Sequence, residues 1–145
     1  MNCIIKFLKG KSECLQIGLL ILRILPGYFL LTNHGWEKLT HPEKWDGLGS
    51  AVTKYVGVID FLNPMFGFLG AFSESICAGL VLIGLFTQPA AVMVAVTMFF
   101  AALYHITGTG NPESALIYMT IFAAIATAGP GKYSIDKLFL QKSME

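Results

Sequence analysis

Charged side chains are nearly absent from the middle of this chain. Between Phe61 and Pro112 the only formally charged residue is Glu74, which stands in an otherwise apolar run from Met65 to Leu85. At a rise of about 1.5 Å per residue, a run of this length matches the hydrocarbon thickness of a bilayer. A carboxylate at that depth costs on the order of 2–3 kcal/mol, so it normally faces a protein partner or a cavity. The sequence therefore predicts a membrane helix with a buried Glu74.

The whole chain is poor in charge and rich in apolar residues. Of its 145 residues, 54% are hydrophobic and 13% are charged, which is more apolar surface than one soluble domain of this size could bury. The net charge of +1 and the lack of a basic run give no attraction for nucleic acid. These numbers favour a single membrane domain over residues 1–145, with the lipid bilayer as its surroundings.

Cysteine pairs are also missing. Cys3, Cys14 and Cys77 form neither a Cys-x-x-Cys motif nor a zinc-ligand spacing, which argues against a disulfide-relay enzyme and a structural metal site. We read them as ordinary thiols and assign them no role. A cleaved signal peptide is also not indicated, because the first apolar segment contains Arg23 and no small-x-small pattern follows it. That segment is predicted to remain as the first helix.

The apolar runs and the helix-start signals predict an all-α, polytopic four-helix bundle. Asn63-Pro64 and Asn111-Pro112 each place a capping side chain before a proline at the first helical position, and Thr87-Gln88-Pro89 resembles them. The predicted spans are residues 15–38, 64–85, 88–105 and 112–128. The second and third form a tight helical hairpin, and the fourth is short for a bilayer.

Lysine placement predicts that both termini are cytoplasmic. The terminal segments hold Lys6, Lys9, Lys11, Lys132, Lys137 and Lys142, whereas the first loop holds Lys38, Lys44 and Lys54. By the positive-inside rule, the first loop (41–63) and the third loop (106–111) then face outward. In the first loop, apolar residues recur every three or four positions, as an interfacial amphipathic helix requires. They are Leu48, Val52, Tyr55, Ile59 and Leu62.

The polar residues of the predicted spans form two stripes. On the first helix, residues at three- or four-residue spacing lie on one face: Arg23, Gly27, Leu30, His34 and Lys38. On the second helix, Glu74 shares a face with small residues that permit close helix packing: Gly67, Gly70, Ala71 and Ala78. We expect Glu74 to point at protein and to pair with Arg23, whose long side chain reaches across their difference in depth.

Two histidines lie near the outer ends of their helices. We expect His34, Lys38 and His105 to converge near the outer leaflet in a polar pocket that the first loop covers, with Glu74 beneath them. Such groups bind a ligand or relay protons. The alternatives are that the histidines sit at the wet interface, that Lys38 extends into water, and that the charged residues only fix helix register. No complete catalytic constellation and no metal site is indicated.

The motifs, taken together and in order, resemble the DoxX family of small bacterial four-helix membrane proteins. They run from Arg23 through His34-Gly35-Trp36-Glu37-Lys38, Glu74-Ser75-Ile76-Cys77-Ala78-Gly79-Leu80, Gly84-Leu85-Phe86-Thr87, Tyr104-His105 and Glu113-Ser114-Ala115-Leu116 to Gly129-Pro130-Gly131-Lys132-Tyr133-Ser134-Ile135-Asp136. The resemblance covers nearly everything from Ile17 to Leu138. It implies a multi-pass protein of the bacterial inner membrane.

The resemblance also implies two kinds of function. One is an accessory or quinone-linked subunit of a membrane oxidoreductase system, in which a histidine hydrogen-bonds a quinone carbonyl and Glu74 relays a proton. The other is a non-enzymatic membrane scaffold or small-solute carrier with a structural ion pair. The implied partners are other oxidoreductase subunits or further copies of the chain. The family's polar positions would be Arg23, His34, Lys38, Glu74 and His105.

Overall fold

The computed structural model describes residues 12–57, 60–108 and 110–142, and within these ranges the chain is helical and contains no strand. The helices are α1 (Ser12–Leu30), α2 (Trp36–Thr40), α3 (Trp45–Val56), α4 (Asn63–Phe72), α5 (Ala78–Ile83), α6 (Thr87–Thr107), α7 (Glu113–Ala128) and α8 (Ile135–Lys142). The prediction of an all-α fold is confirmed. The predictions on Cys3, Lys6, Lys9, Lys11 and Ile59 lie outside the described residues.

In the part of the chain that the structure describes, three continuous helices are long and apolar enough to cross a membrane: Glu13–Thr40, Asp60–Ile83 and Thr87–Thr107. We call them the first, second and third spanning helices. The fourth apolar helix, α7, has 16 residues and is shorter. Their outer faces expose large apolar side chains, among them Ile21, Phe29 and Val92, as lipid-facing helices do. The molecule is therefore a helical membrane protein.

Two π-helical turns interrupt the first and second spanning helices and lie against each other. They are Leu31–Gly35, between α1 and α2, and Ser73–Cys77, between α4 and α5. A Cβ atom built on Gly35 would lie 2.2 Å from the carbonyl oxygen of Glu74, so only glycine permits this crossing. The two turns thus set how closely the first two spanning helices approach.

Helix α3 packs across one end of the bundle, as the apolar periodicity of the first loop predicts. Gly49 lies against the backbone of Asn63, and Gly67 lies against the backbone of Trp45, at distances that leave no room for a side chain. Thr53 Oγ1 donates a 2.6 Å hydrogen bond to Asn63 Oδ1. Asn63 therefore bonds to α3. The prediction that it caps α4 is wrong. Asn111 does act as predicted, because its Oδ1 accepts the Glu113 N–H at 2.9 Å.

The opposite end of the bundle is formed by the start of α1, the Gly84–Thr87 turn and the segment from Gly129 to Asp136. We call it the terminal end, and the end covered by α3 the loop end. Lys132 contacts α1 twice, since its backbone N–H donates to Gln16 Oε1 at 2.6 Å and its ammonium pairs with Glu13 at 2.8 Å. The N-terminal turn of α1 and the C-terminal segment therefore meet on the same side of the bundle.

Candidate functional site

An ion pair lies in the interior near the loop end, and in it Glu74 pairs with Lys38 instead of the predicted Arg23. Lys38 Nζ donates to both carboxylate oxygens of Glu74, at 2.7 and 2.6 Å. Glu74 is 4% exposed and Lys38 is 27% exposed. The prediction that Glu74 faces protein is confirmed, whereas the prediction that it pairs with Arg23 is wrong.

The direction of helical side chains explains the difference. A side chain on an α-helix leans toward the N-terminus of its own helix. Arg23 therefore leans toward the terminal end, away from Glu74. Lys38 lies near the loop end of the same helix and leans from there into the bundle. Glu74 lies on an antiparallel helix and therefore leans toward Lys38. This rule applies to the sequence alone and would have favoured the observed pair.

Arg23 instead binds backbone carbonyl groups at the terminal end. Its guanidinium donates to the carbonyl oxygens of Val81 and Tyr133, at 3.1 Å each, and to that of Pro130, and its side chain is fully buried. Gly84, with φ +77°, leaves the space that the guanidinium fills. Arg23 thus joins α1 to α5 and to the C-terminal segment.

A cavity of about 870 Å³ lies beside the Lys38–Glu74 pair, between α3, the second spanning helix and the third spanning helix. Its wall is mostly apolar. The polar side chains on its lining are Lys38, Glu43, Lys44, Glu74, Thr97, Tyr104 and His105. A large apolar cavity with a few polar groups at one place is the usual form of a small-molecule site. A cavity therefore lies where the polar pocket under the first loop was predicted, and α3 lines it, but its wall is mostly apolar.

His105 lies at the loop end of the third spanning helix and lines the cavity, as predicted. Its Nδ1 lies where a Cβ atom on Gly110 would be, so the loop backbone packs directly on the imidazole. The neighbouring Tyr104 ring meets it edge-on, with ring centroids 5.9 Å apart. The imidazole is thus held at the loop end, where it can exchange a hydrogen bond with a ligand.

His34 does not join this group. It is exposed, does not line the cavity, and its ring meets that of Tyr118 on α7 edge-on at 6.2 Å. The reason is the first π turn, which adds one residue to the helical repeat. The buried stripe Arg23, Gly27 and Leu30 therefore continues at Gly35 and not at His34. Of the predicted convergence, Lys38 and His105 meet at one cavity and His34 lies outside it.

The ion pair keeps hydrogen-bonding capacity on its cavity side. A lysine ammonium has three N–H donors, and the Glu74 carboxylate accepts two of them. The partial exposure of Lys38 places the third within reach of a molecule in the cavity. The arrangement offers a charged donor to a carbonyl or hydroxyl oxygen, with a carboxylate directly behind that donor as a proton acceptor.

Three parts of the site were not predicted from the sequence. Tyr104 and Thr97 were not among the predicted site residues, yet both line the cavity. Trp45 Nε1 donates to the Lys38 carbonyl at 2.9 Å and so fixes the end of the first spanning helix beneath α3. A tryptophan just after the helix that carries Lys38 was the available signal for that contact.

The two cysteines that the structure describes, Cys14 and Cys77, do not line the cavity. Cys77 is a buried free thiol in the second π turn, and Cys14 is a free thiol in α1. Among the residues that the structure describes, no group of three His, Cys, Asp or Glu side chains is placed to hold a metal ion. The chemistry of the described site therefore rests on Lys38, Glu74 and His105.

Comparisons with known proteins agree with this architecture. The family model described as DoxX matches residues 18–107, a range that includes the ion pair and both walls of the cavity. An uncharacterized protein of Haemophilus influenzae is 31% identical over 137 residues, which cover 86% of this chain and 92% of that protein. No solved structure matches the chain significantly.

Proposed function

The chain is a membrane protein of the DoxX family, and we propose that it serves a membrane oxidoreductase system as an accessory subunit that binds a quinone beside Lys38 and Glu74. The observation that carries this proposal is the ion pair at the wall of a large apolar cavity. A quinone has a flat apolar ring and two carbonyl acceptors, which match such a lining.

Lys38, His105 and Glu74 have different roles in quinone binding. Lys38 donates its third N–H to one quinone carbonyl, and His105 provides a hydrogen bond from the outer end of the cavity. The quinone supplies the electron chemistry, and the electrons come from a partner subunit. Glu74, which is buried and next to the donor, accepts or returns the proton that accompanies a change in quinone charge. This chain positions the ring and handles protons.

The same proposal includes a membrane topology. The chain crosses the bacterial inner membrane four times, with α7 as the fourth crossing and both termini in the cytoplasm. Support comes from the contacts of Lys132 with Gln16 and Glu13, which require the two terminal segments to share one side, and from the lysine-rich termini. The cavity then lies at the outer leaflet.

One observation favours a second function, that of a scaffold. Glu74 lies in the π turn that receives Gly35 of the first spanning helix, and Lys38 bridges the same two helices less than one turn further on. The pair could therefore serve only to fix helix register. In that case the cavity would hold lipid without selectivity.

Quinone binding separates the two functions. We expect the purified protein in lipid nanodiscs to bind tritiated decyl-ubiquinone, and Lys38→Met to weaken binding about tenfold, since a hydrogen bond from a charged donor contributes about 1.5–3 kcal/mol. Lys54→Met is the matched control, because Lys54 is an exposed lysine of α3 that does not line the cavity.

Unchanged binding by the Lys54 variant with weakened binding by the Lys38 variant supports the quinone site. If the wild-type protein binds no quinone, or if both lysine variants bind like the wild type, the site is wrong and the scaffold function stands.

A further inference from the structure

This inference rests on the proposed function and deepens it. We propose that the cavity takes an uncharged amphiphile with a long apolar tail, and that this ligand reaches it sideways from the outer leaflet, between the second and third spanning helices. A water-soluble solute that arrives through α3 is thereby excluded.

Hydrogen bonds and close contacts hold helix α3 against the spanning helices at both of its ends. Near its start, Trp45 bonds the Lys38 carbonyl and lies against Gly67. Near its end, the Tyr55 hydroxyl donates to the Leu103 carbonyl at 3.1 Å. With Thr53 bonded to Asn63, the helix is tied to all three spanning helices. A ligand that had to displace α3 would have to break all of these contacts.

The lateral wall of the cavity is open in comparison. Three large apolar residues that line the cavity are more than a third exposed: Leu69 at 38%, Met93 at 39% and Val96 at 50%. Gly70, which also lines the cavity, leaves a gap on the second helix, because the nearest atom to a Cβ built there is the Thr97 methyl at 3.9 Å. The same side chains therefore border both the cavity and the bilayer.

The lining is ordered along the membrane normal. On the third spanning helix, Met93 and Val96 lie toward the bilayer centre, and Tyr104 and His105 lie at the loop end. Met93 and His105 are separated by about 18 Å along the helix at 1.5 Å per residue. This length accommodates a head group beside Lys38 and roughly the first ten carbons of a tail that passes Val96.

The charges favour an uncharged head group. Each lysine on the lining has a carboxylate partner, since Lys38 pairs with Glu74 and Lys44 pairs with Glu37. Glu43, a further lining residue, adds negative charge at the outer rim. An anionic lipid or fatty acid would meet this carboxylate and would have to compete with Glu74 for Lys38. A neutral head group with carbonyl oxygens meets neither obstacle.

Two valines of one helix provide the test. Val92 and Val96 are one helical turn apart and are exposed to 49% and 50%, but only Val96 lines the cavity. In nanodiscs, we expect Val96→Trp to weaken binding of tritiated decyl-ubiquinone about tenfold, through a narrowed lateral opening. Val92→Trp should bind like the wild type. Binding should follow the ratio of quinone to lipid and not the bulk concentration, and palmitate should not displace the label.

Leu69→Trp, on the other side of the opening, gives a second variant in case Val96→Trp does not fold. If the wild-type protein binds decyl-ubiquinone but both lining variants bind equally well, lateral access is wrong and the quinone site stands. If palmitate displaces the label, the uncharged class is wrong. If the wild-type protein binds no quinone at all, the proposed function fails together with this inference.

Discussion

The first spanning helix carries a cation toward each end of the bundle, Arg23 at the terminal end and Lys38 at the loop end, and their surroundings differ. Arg23 donates to three backbone carbonyls, is 1% exposed, and leaves no space for another molecule. Lys38 donates to one carboxylate and is 27% exposed toward a cavity. Burial of charge alone therefore does not mark a binding site. A site is indicated where a buried charge keeps an unused donor and faces open volume.

The largest expected effect on stability is at the terminal end, where Arg23 binds the backbone carbonyls. Arg23→Met would remove the guanidinium donor from three carbonyls. That of Val81 keeps the Gly84 N–H at 3.1 Å, whereas those of Pro130 and Tyr133 lose a hydrogen bond at about 1–3 kcal/mol each where they stay buried. We expect the free energy of unfolding in mild detergent, followed by circular dichroism, to fall by at least about 3 kcal/mol. Lys132→Met, which removes an exposed ion pair at the same end, should change it far less. Equal effects of the two changes would show that the Arg23 contacts are not stabilising.

At the loop end, the effects of replacing Lys38 and Glu74 on the free energy of unfolding should be coupled. Lys38→Met and Glu74→Gln should each destabilise by about 2–3 kcal/mol, because each leaves a polar group without its partner in the interior. The double variant should lose clearly less than the sum of the two. The same unfolding measurement completes this cycle. Additive losses would mean that the 2.6 Å contact contributes no coupling energy.

The crossing of the two π turns gives a smaller effect. Gly35→Ala would place a methyl group 2.2 Å from the Glu74 carbonyl oxygen, and we expect a loss of about 1–3 kcal/mol as the helices move apart. Gly18→Ala is the control, because a Cβ on Gly18 in α1 has no neighbour within 4 Å. That change should stabilise by up to about 1 kcal/mol. A neutral Gly35→Ala would show that the crossing is loose.

The smallest effect concerns Asp136, which accepts the backbone N–H groups of Phe86 and Thr87 at 2.8 Å at the start of α6. Partial burial acts to raise its pKa, but these hydrogen bonds and the nearby Arg23 outweigh burial and hold the pKa below its usual range. A lowered folded-state pKa stabilises above the unfolded value of about 3.9, and this stabilisation is lost as the pH falls through the folded value.

Asp136→Ala should therefore cost about 1 kcal/mol near neutral pH, and the difference from the wild type should shrink as the pH falls below the unfolded value of about 3.9. Unfolding curves of both proteins at the two pH values measure it. A difference that stays constant with pH would show that the Asp136 charge has no part in the contact.

Local patterns in the sequence predicted the helices and the covering helix α3, because apolar runs and helix-start signals act over a few residues. The burial of Glu74 followed from the cost of a charge in lipid. The predicted pairing of Glu74 with Arg23 was wrong, because depth and side-chain length permit it but the direction in which helical side chains lean does not. The prediction that His34 lines the pocket was wrong, because no pattern of residues in the sequence marks the π turn that changes the face on which His34 lies.

The contacts of the terminal end were beyond prediction for a different reason. Asp136 and Phe86 are 50 positions apart, and Arg23 and Tyr133 are 110 apart. Local rules identify a turn at Gly129–Ser134 but do not say which helix it will meet. Carbonyl acceptors also carry no residue identity, so a guanidinium that binds backbone leaves no matching acidic residue to find.

The first π turn also determines how this helix would respond to the loss of a residue. Deletion of Asn33 from Leu31–Gly35 would leave a continuous α-helix with its length nearly unchanged. Because the π turn accommodates one extra residue without turning the helix that follows it, Gly35 would then lie four positions after Leu30 and keep its place on the buried stripe. Lys38 would still face Glu74, and Arg23, before the deletion, would keep its contacts. Deletion of a residue from the regular α-helix ahead of the turn would instead rotate everything beyond it by about 100° about the helix axis and turn Lys38 away from Glu74. A shortening that an alignment would register as a single gap would thus leave the ion pair intact within Leu31–Gly35 and break it a few residues earlier.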